Sequence, residues 1–183
     1  ELVETAPANP GPITVGTSGA GSSHPIGLAA LGLGLADDAN LFKHIAYGGG
    51  AEAITNLLGG HVDATATIWS EAAPYIESGD FVPLFCNGPE TPDSAGDLPC
   101  AADYDLTSDC GTWYAFAAPA GTDQAIVDLL ESTILDIMAQ PETVQTFENL
   151  GNPVVLLAQK AISEKWSSGY KNAEATLKAI GML

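Results

Sequence analysis

Residues 13–27 read Ile-Thr-Val-Gly-Thr-Ser-Gly-Ala-Gly-Ser-Ser-His-Pro-Ile-Gly, an apolar run that passes through glycines and hydroxyls into a helical stretch. That composition suits an anion. Gly16, Gly19 and Gly21 allow the backbone to approach a ligand closely, Ser22 or Ser23 can cap the helix, and Pro25 fits its first turn. Unpaired N–H groups and the positive end of the helix dipole then face whatever lies above the turn. Taken alone, the same residues also describe an ordinary strand-to-helix connection.

Two further junctions have the same character. Tyr47-Gly48-Gly49-Gly50-Ala51 follows a second apolar run, and Ile68-Trp69-Ser70 follows a third, with Ser70 a natural N-cap. In a parallel sheet all three lie at the carboxyl ends of the strands, the edge on which open α/β folds bind ligands. Three helix N-termini meeting there make a concave patch of N–H donors for carboxylate or phosphate. The chain has no Arg, so a carboxylate must be held by N–H groups, hydroxyls, water or Lys. Asp63, in the third predicted strand, is a candidate acceptor for a ligand amine, hydroxyl or water. Tyr47, Trp69 and Trp113 either line the site or belong to the core.

Constellations for covalent chemistry are weak. Gly19-Ala20-Gly21 lacks the third glycine of a dinucleotide fingerprint, and neither a nucleophile elbow nor GxxxxGK occurs. His24 beside Ser22 and Ser23 supports an alternative in which an α/β enzyme uses Ser22, His24 and Asp63 on a small phosphorylated or carboxylated metabolite. His44 and His61 suit strand edges or caps. Asp103, Asp105 and Asp109 sit in an acidic loop where Ca²⁺ ligands and chance composition look alike, so no metal site is assigned. Cys86, Cys100 and Cys110 have no metal-ligand spacing, and either one disulfide within 86–110 or three separate thiols fits.

The elements that must position these loops alternate. Strands are predicted at 13–17, 42–47, 62–68 and 82–86, with helices at 24–35, 51–58 and 71–78. Strands separated by helices imply parallel pairing. Gly59-Gly60 and Gly79 stop two of the helices. After a Pro-, Gly- and Asp-rich loop over 87–111, strands are predicted at 113–118 and 153–157. A helix capped by Thr122 carries an apolar stripe of Ile126, Val127, Leu129, Leu130, Ile134, Ile137 and Met138. A short helix opens at Pro141, and a last amphipathic helix spans 158–180.

Composition excludes several partners. The 183 residues carry 23 acidic side chains against five lysines, a formal net charge of -18. Nucleic acid and acidic membrane surfaces are repelled by such a chain. With 46% hydrophobic residues it folds despite that charge, and an acidic, arginine-free surface points to adaptation to high salt, where screening removes most self-repulsion. No run approaches the ~20 apolar residues of a membrane span. The chain begins at Glu1 rather than Met, which reads as a processed or truncated polypeptide.

The order of the motifs resembles a known family. Val-Gly-Thr-Ser-Gly-Ala-Gly-Ser-Ser-His at 15–24, Lys43-His44-Ile45-Ala46-Tyr47-Gly48-Gly49-Gly50-Ala51-Glu52-Ala53-Ile54 and Leu57-Leu58-Gly59-Gly60-His61-Val62-Asp63-Ala64 are similar to the substrate-binding receptors of tripartite tricarboxylate transporters, the TctC or Bug family. Ala117 to Thr122, Pro141-Glu142 and Leu150-Gly151 continue the pattern. The resemblance implies a periplasmic-binding-protein-like α/β fold with a parallel-rich sheet flanked by helices, an extracytoplasmic location, no cofactor and no chemistry. It implies a small carboxylate ligand and membrane permease subunits as partners. The implied ligand contacts are Thr17, Ser18, Gly19, Ala20, Gly21 and Ser22 in the first loop, Tyr47, Gly49, Gly50 and Ala51 in the second, and Asp63 and Ser70 beside them. A lysine that the family often carries after the tyrosine is replaced here by Gly48.

Full receptors of the family carry a further region before this one. Residues 1–112 are therefore expected to form the second ligand-binding lobe, and 113–183 the strand and helices that return to an incomplete first lobe. Exposed apolar area and self-association are expected to follow. The remaining alternative is a sensor or interaction module that reuses the receptor fold.

Overall fold

The computed structural model describes residues 13–19, 22–88, 91–104, 112–152, 154–179 and 183. The chain divides into two compact units, residues 1–112 with 171–183, and residues 113–170. The sequence had grouped residues 171–183 with the segment from 113 onward.

The first unit is built on β1 (Thr14–Ser18), α1 (Ser23–Ala36), β2 (Lys43–Tyr47), α2 (Gly50–Leu58), β3 (Ala64–Ala66) and α3 (Trp69–Glu77). The strands pair in parallel in the order β2-β1-β3, with Val15 opposite His44 on one side and Ala64 on the other. Central β1 buries Val15, Gly16 and Thr17 in succession, as a strand covered on both faces must. The α1 sequence is apolar nearly all round and buries Gly27, Leu28, Ala29, Leu31 and Gly32. Val15, Leu28, Leu31, Leu41 and Phe42 form the core, flanked by Ile13, Leu35 and Phe85.

The return from α1 to β2 is tight. Asp37 takes the left-handed conformation at φ 55° and donates its N–H to Leu33 O at 2.9 Å, while Asp38 N–H reaches Gly32 O at 3.3 Å. Asp tolerates a position that usually calls for glycine. A Cβ at Gly32 would strike the Asp38 carbonyl and come within 3.1 Å of Leu41 Cβ, so this glycine lets the turn fold back onto the helix.

β3 is shorter than the predicted 62–68, and Asp63 stands just before it. The Thr14 amide and hydroxyl donate to Asp63 Oδ2 at 2.8 and 2.6 Å, and Asp63 N–H returns to Thr14 O at 3.1 Å. Asp63 thus ties the start of β3 to the start of β1. The Thr14 hydroxyl, then its amide, holds the exposed carboxyl below its usual pKa. A depressed folded-state pKa gives stability that is present above the unfolded value and lost as pH falls through the folded one. Asp63→Asn is therefore expected to lower the urea midpoint at pH 7. The gap to wild type should begin to shrink near the ordinary carboxyl pKa of about 4 and close only below the depressed folded-state pKa, where the carboxyl is protonated in both states. A gap that persists unchanged into acid would sink this assignment.

Three predicted strands do not form ladders among the described residues. In 82–86, Pro83 lacks an N–H, and pairing is confined to a parallel bridge between Cys86 and Cys100, with Cys86 N–H on Pro99 O at 2.9 Å. Asp103 accepts the Cys100 N–H at 2.8 Å, whereas Asp105, Asp109 and Cys110 lie outside the described residues. Residues 113–118 and 154–157 form no ladder, an aromatic-rich and a Val/Leu-rich run that find no strand to join among the described residues.

The second unit contains α4 (Gln124–Met138), α5 (Pro141–Asn149) and the part of α6 (Gln159–Ala179) up to Tyr170. Asp123 rather than Thr122 caps α4, accepting the Ala125 N–H at 2.8 Å, while Thr122 Oγ1 donates to Pro119 O. Glu131 accepts the Gln159 N–H at the start of α6, and Trp113 meets Trp166 edge-on at 5.6 Å. Neither α4 nor α5 has a buried residue, and Tyr114, Phe116 and Val155 are 86%, 83% and 77% exposed. Among the described residues no helix is long and apolar enough to cross a membrane.

Candidate functional site

The parallel register places Ser18, Tyr47 and Ala66 at one edge of the sheet, and each strand there turns into a helix N-terminus. Gly19, at φ 46°, sends its N–H to Tyr47 O at 2.7 Å, which fastens the first loop to the second. Gly16 makes room for the Tyr47 ring, which lies 3.0 Å from where a Cβ would stand. Ala20 and Gly21 lie outside the described residues.

The hydroxyls of the first loop are wired inward. Ser22 occupies the N-cap position of α1, yet its side chain makes no cap bond and donates back to Ser18 O and to Gly19 O, the latter at 3.1 Å. Ser18 Oγ lies 2.8 Å from His24 Nδ1 and 3.4 Å from Ser22 Oγ. Beneath them Thr17, fully buried, bonds His44 Nε2 at 2.6 Å, so His44, on the edge strand β2, is tied to central β1. Burial pushes both imidazoles below their usual pKa, and for His24 the Glu71 carboxylate pulls the other way.

The three N-termini are not equivalent. None has a side-chain bond from its N-cap residue, which is Ser22, Gly49 or Ile68. In α2, however, Glu52 reaches back to the Gly48 N–H at 2.7 Å. In α3, Glu71 accepts from Thr67 Oγ1, and its carboxylate also lies against Gly50, where a Cβ would collide with it. Both acids stand three residues after their N-caps, the capping-box position. Two carboxylates thus already sit at the start of α2 and α3. α1 has no acid in its first turn and Pro25 at the equivalent place. Its N-terminus is where an external anion meets no carboxylate from the helix's own first turn.

The predicted contacts therefore separate. Thr17, Ser18, Gly19, Ser22, Tyr47, Gly49, Gly50 and Ala51 share this edge, with Ser70 in the first turn of α3 instead of at its cap. Asp63 stands at the opposite, amino end of the strands. Glu52 and Glu71 were missed by sequence reasoning; their signal was an acid at the third position of each helix. Among the described residues no group of three His, Cys, Asp or Glu side chains is disposed to hold a metal.

A family model described as the tripartite tricarboxylate transporter family receptor, TctC, matches residues 1–181. A UPF0065 protein of Cupriavidus necator is 24% identical across 100% of the chain and 54% of its own length. One from Bordetella pertussis is 29% identical across 82% and 46%. The chain thus spans about half the length of the curated relatives it matches. Among solved structures, a TctC solute-binding protein from Polaromonas without ligand superposes with a TM-score of 0.77 at 21% identity, covering 100% of this chain and 60% of that one. An R. palustris protein with adipate gives 0.78 at 18%, covering 98% and 60%. These bear out the helix-flanked parallel sheet, and with the family model matching nearly every residue, the chain belongs to the TctC receptor family of tripartite tricarboxylate transporters.

Proposed function

We propose that this chain is part of an extracytoplasmic solute receptor that captures a small carboxylate and delivers it to the membrane permease subunits of a tripartite transporter. The observation that carries the proposal is the N-terminus of α1, free of an acid in its first turn beside two helix starts that carry their own. A ligand carboxylate there is met by helix-start N–H groups and the hydroxyls of Ser18 and Ser22, with Tyr47, Gly49, Gly50, Ala51 and Ser70 around it. The family's role as a transporter receptor and the adipate in the R. palustris structure support a dicarboxylate as the first ligand to try. Capture needs no bond to form or break, so no cofactor is required. Residues 1–112 serve as the second ligand lobe, and residues 113–170 belong to the family's first lobe, of which this chain spans only part.

A thermal-shift and turnover panel of succinate, glutarate, adipate and citrate tests this. Stabilisation without turnover supports the receptor. Turnover favours the enzyme built on Ser22 and His24, and silence across the panel favours an interaction module. The net charge of -18 adds a second expectation, that molar salt raises the urea midpoint by screening self-repulsion. An equal midpoint in dilute buffer would argue against salt adaptation.

The apolar surface of the second unit belongs to the same proposal. We assign it to contact with the part of the family fold that this chain does not span. Without that part the chain should self-associate, and sedimentation velocity should show mass rising with concentration. A monomer at every concentration would contradict it.

A further inference from the structure

His24 is the imidazole wired to Ser18 at the edge where the carboxylate is proposed to bind, and the chain has no arginine to supply a fixed cation. Lys43 begins β2 at the other end of the strands. We propose, on the footing of the carboxylate cradle above, that His24 is a positioning residue that takes up a proton when the ligand binds, so that Ser18 becomes a donor to the ligand.

The geometry gives Ser18 two states. With Nδ1 unprotonated, the Ser18 hydroxyl donates to it across 2.8 Å, and its hydrogen is not available to a carboxylate. When a proton from solvent occupies Nδ1, the imidazolium donates to Ser18 Oγ instead. The hydroxyl hydrogen is then released to point at the ligand oxygen, and a positive charge stands behind it. The same protonation answers a second difficulty. A ligand carboxylate at this edge has Glu71 and Glu52 for neighbours, and two like charges close together disfavour each other.

The groups facing His24 fix the direction. Burial favours the neutral ring, and Glu71 on α3 favours the charged one. Glu52 on α2 is engaged by the Gly48 N–H. His44 on β2 is held by Thr17 and has no hydroxyl of the loop to reorient. A bound carboxylate joins Glu71, so the His24 pKa rises on binding. By linkage, affinity is then greatest at low pH and falls as pH rises from the free-state pKa through the bound-state one. A one-unit rise corresponds to about tenfold in affinity across that window.

Imidazole NMR tests this on the wild-type chain, because three histidines give three titration curves. The pH titration is run with adipate and with sodium chloride at equal ionic strength. The expected result is that adipate moves the Ser18 and Gly19 amides and raises the His24 midpoint by about one unit, with His44 and His61 unmoved. His24→Asn keeps a donor near the Nδ1 position, and should bind adipate with an affinity that no longer changes across the pH window in which the wild-type affinity falls. If the loop amides move but the His24 midpoint does not, or all three midpoints rise together, proton uptake at His24 is wrong and the cradle stands. If neither adipate nor succinate moves those amides, the cradle itself fails and this coupling with it.

Discussion

Leu41→Ala is expected to lower the stability of the first unit by about 3–5 kcal/mol, the upper part of the range for truncating a buried leucine. Leu41 is fully buried, and its Cβ fills the space that Gly32 leaves open on α1. Its backbone cannot retreat, because Leu41 N–H is tied to Asp38 O at 3.1 Å inside the tight return from α1. A site that cannot collapse keeps its cavity and bears the full cost. Few other positions share the load, since the core cluster is Val15, Leu28, Leu31, Leu41 and Phe42. Against a typical total of 5–15 kcal/mol for a domain, such a loss leaves a marginal fold. Urea unfolding followed by far-UV circular dichroism should show the midpoint falling steeply. Leu41→Met, which conserves volume, should cost less than about 1.5 kcal/mol. Equal effects from the two substitutions would mean that packing at Leu41 is not what holds the return in place.

Pro25→Glu should abolish most carboxylate binding while leaving the fold intact or slightly stronger. The substitution gives α1 the acid that α2 and α3 already own, three residues after the N-cap. An internal carboxylate tethered at the helix start competes at millimolar effective concentration or above, so a weakly bound dicarboxylate should lose at least about tenfold in affinity. The same acid complements the helix dipole and should contribute about 0.3–1 kcal/mol of stability. Opposite signs for binding and stability set this variant apart from ordinary damage. If adipate binds Pro25→Glu as well as wild type, the ligand does not sit at the start of α1. Pro25→Ala is the control, and keeps the helix start open to the ligand.

Much of the frame was legible because local rules and the global fold agreed. Gly16, Gly19 and Pro25 mark a strand entering a helix, and Gly60 and Gly79, at φ 68° and 83°, end helices where the sequence placed their ends. Asp63 was misplaced because a strand predicted over 62–68 put it within the sheet, whereas its bonds to Thr14 set it before the first pair of the ladder. The caps were harder. Ser22 and Ser70 have the right chemistry for N-caps, but Ser22 is drawn back to the Ser18 carbonyl, and Ile68 sits where Ser70 was expected. Glu52 and Glu71 were hidden by composition, since 23 acidic residues make an acid near any helix start unremarked. The segments 113–118 and 153–157 carry strand residues, and a strand pattern becomes a strand only when another chain segment offers a ladder.

The bare helices of the second unit bear on how this protein melts. Trp113 and Trp166 report on a unit whose α4 and α5 contain no fully buried residue, and Trp69 on the unit that contains the core. Heat-capacity change on unfolding follows apolar burial, so the larger share of it belongs to the first unit. Calorimetry and tryptophan emission should therefore trace different transitions, with the calorimetric and van't Hoff enthalpies unequal. A single melting temperature is then not a property of this chain; each unit has its own, and a ligand held by the first unit raises only that one.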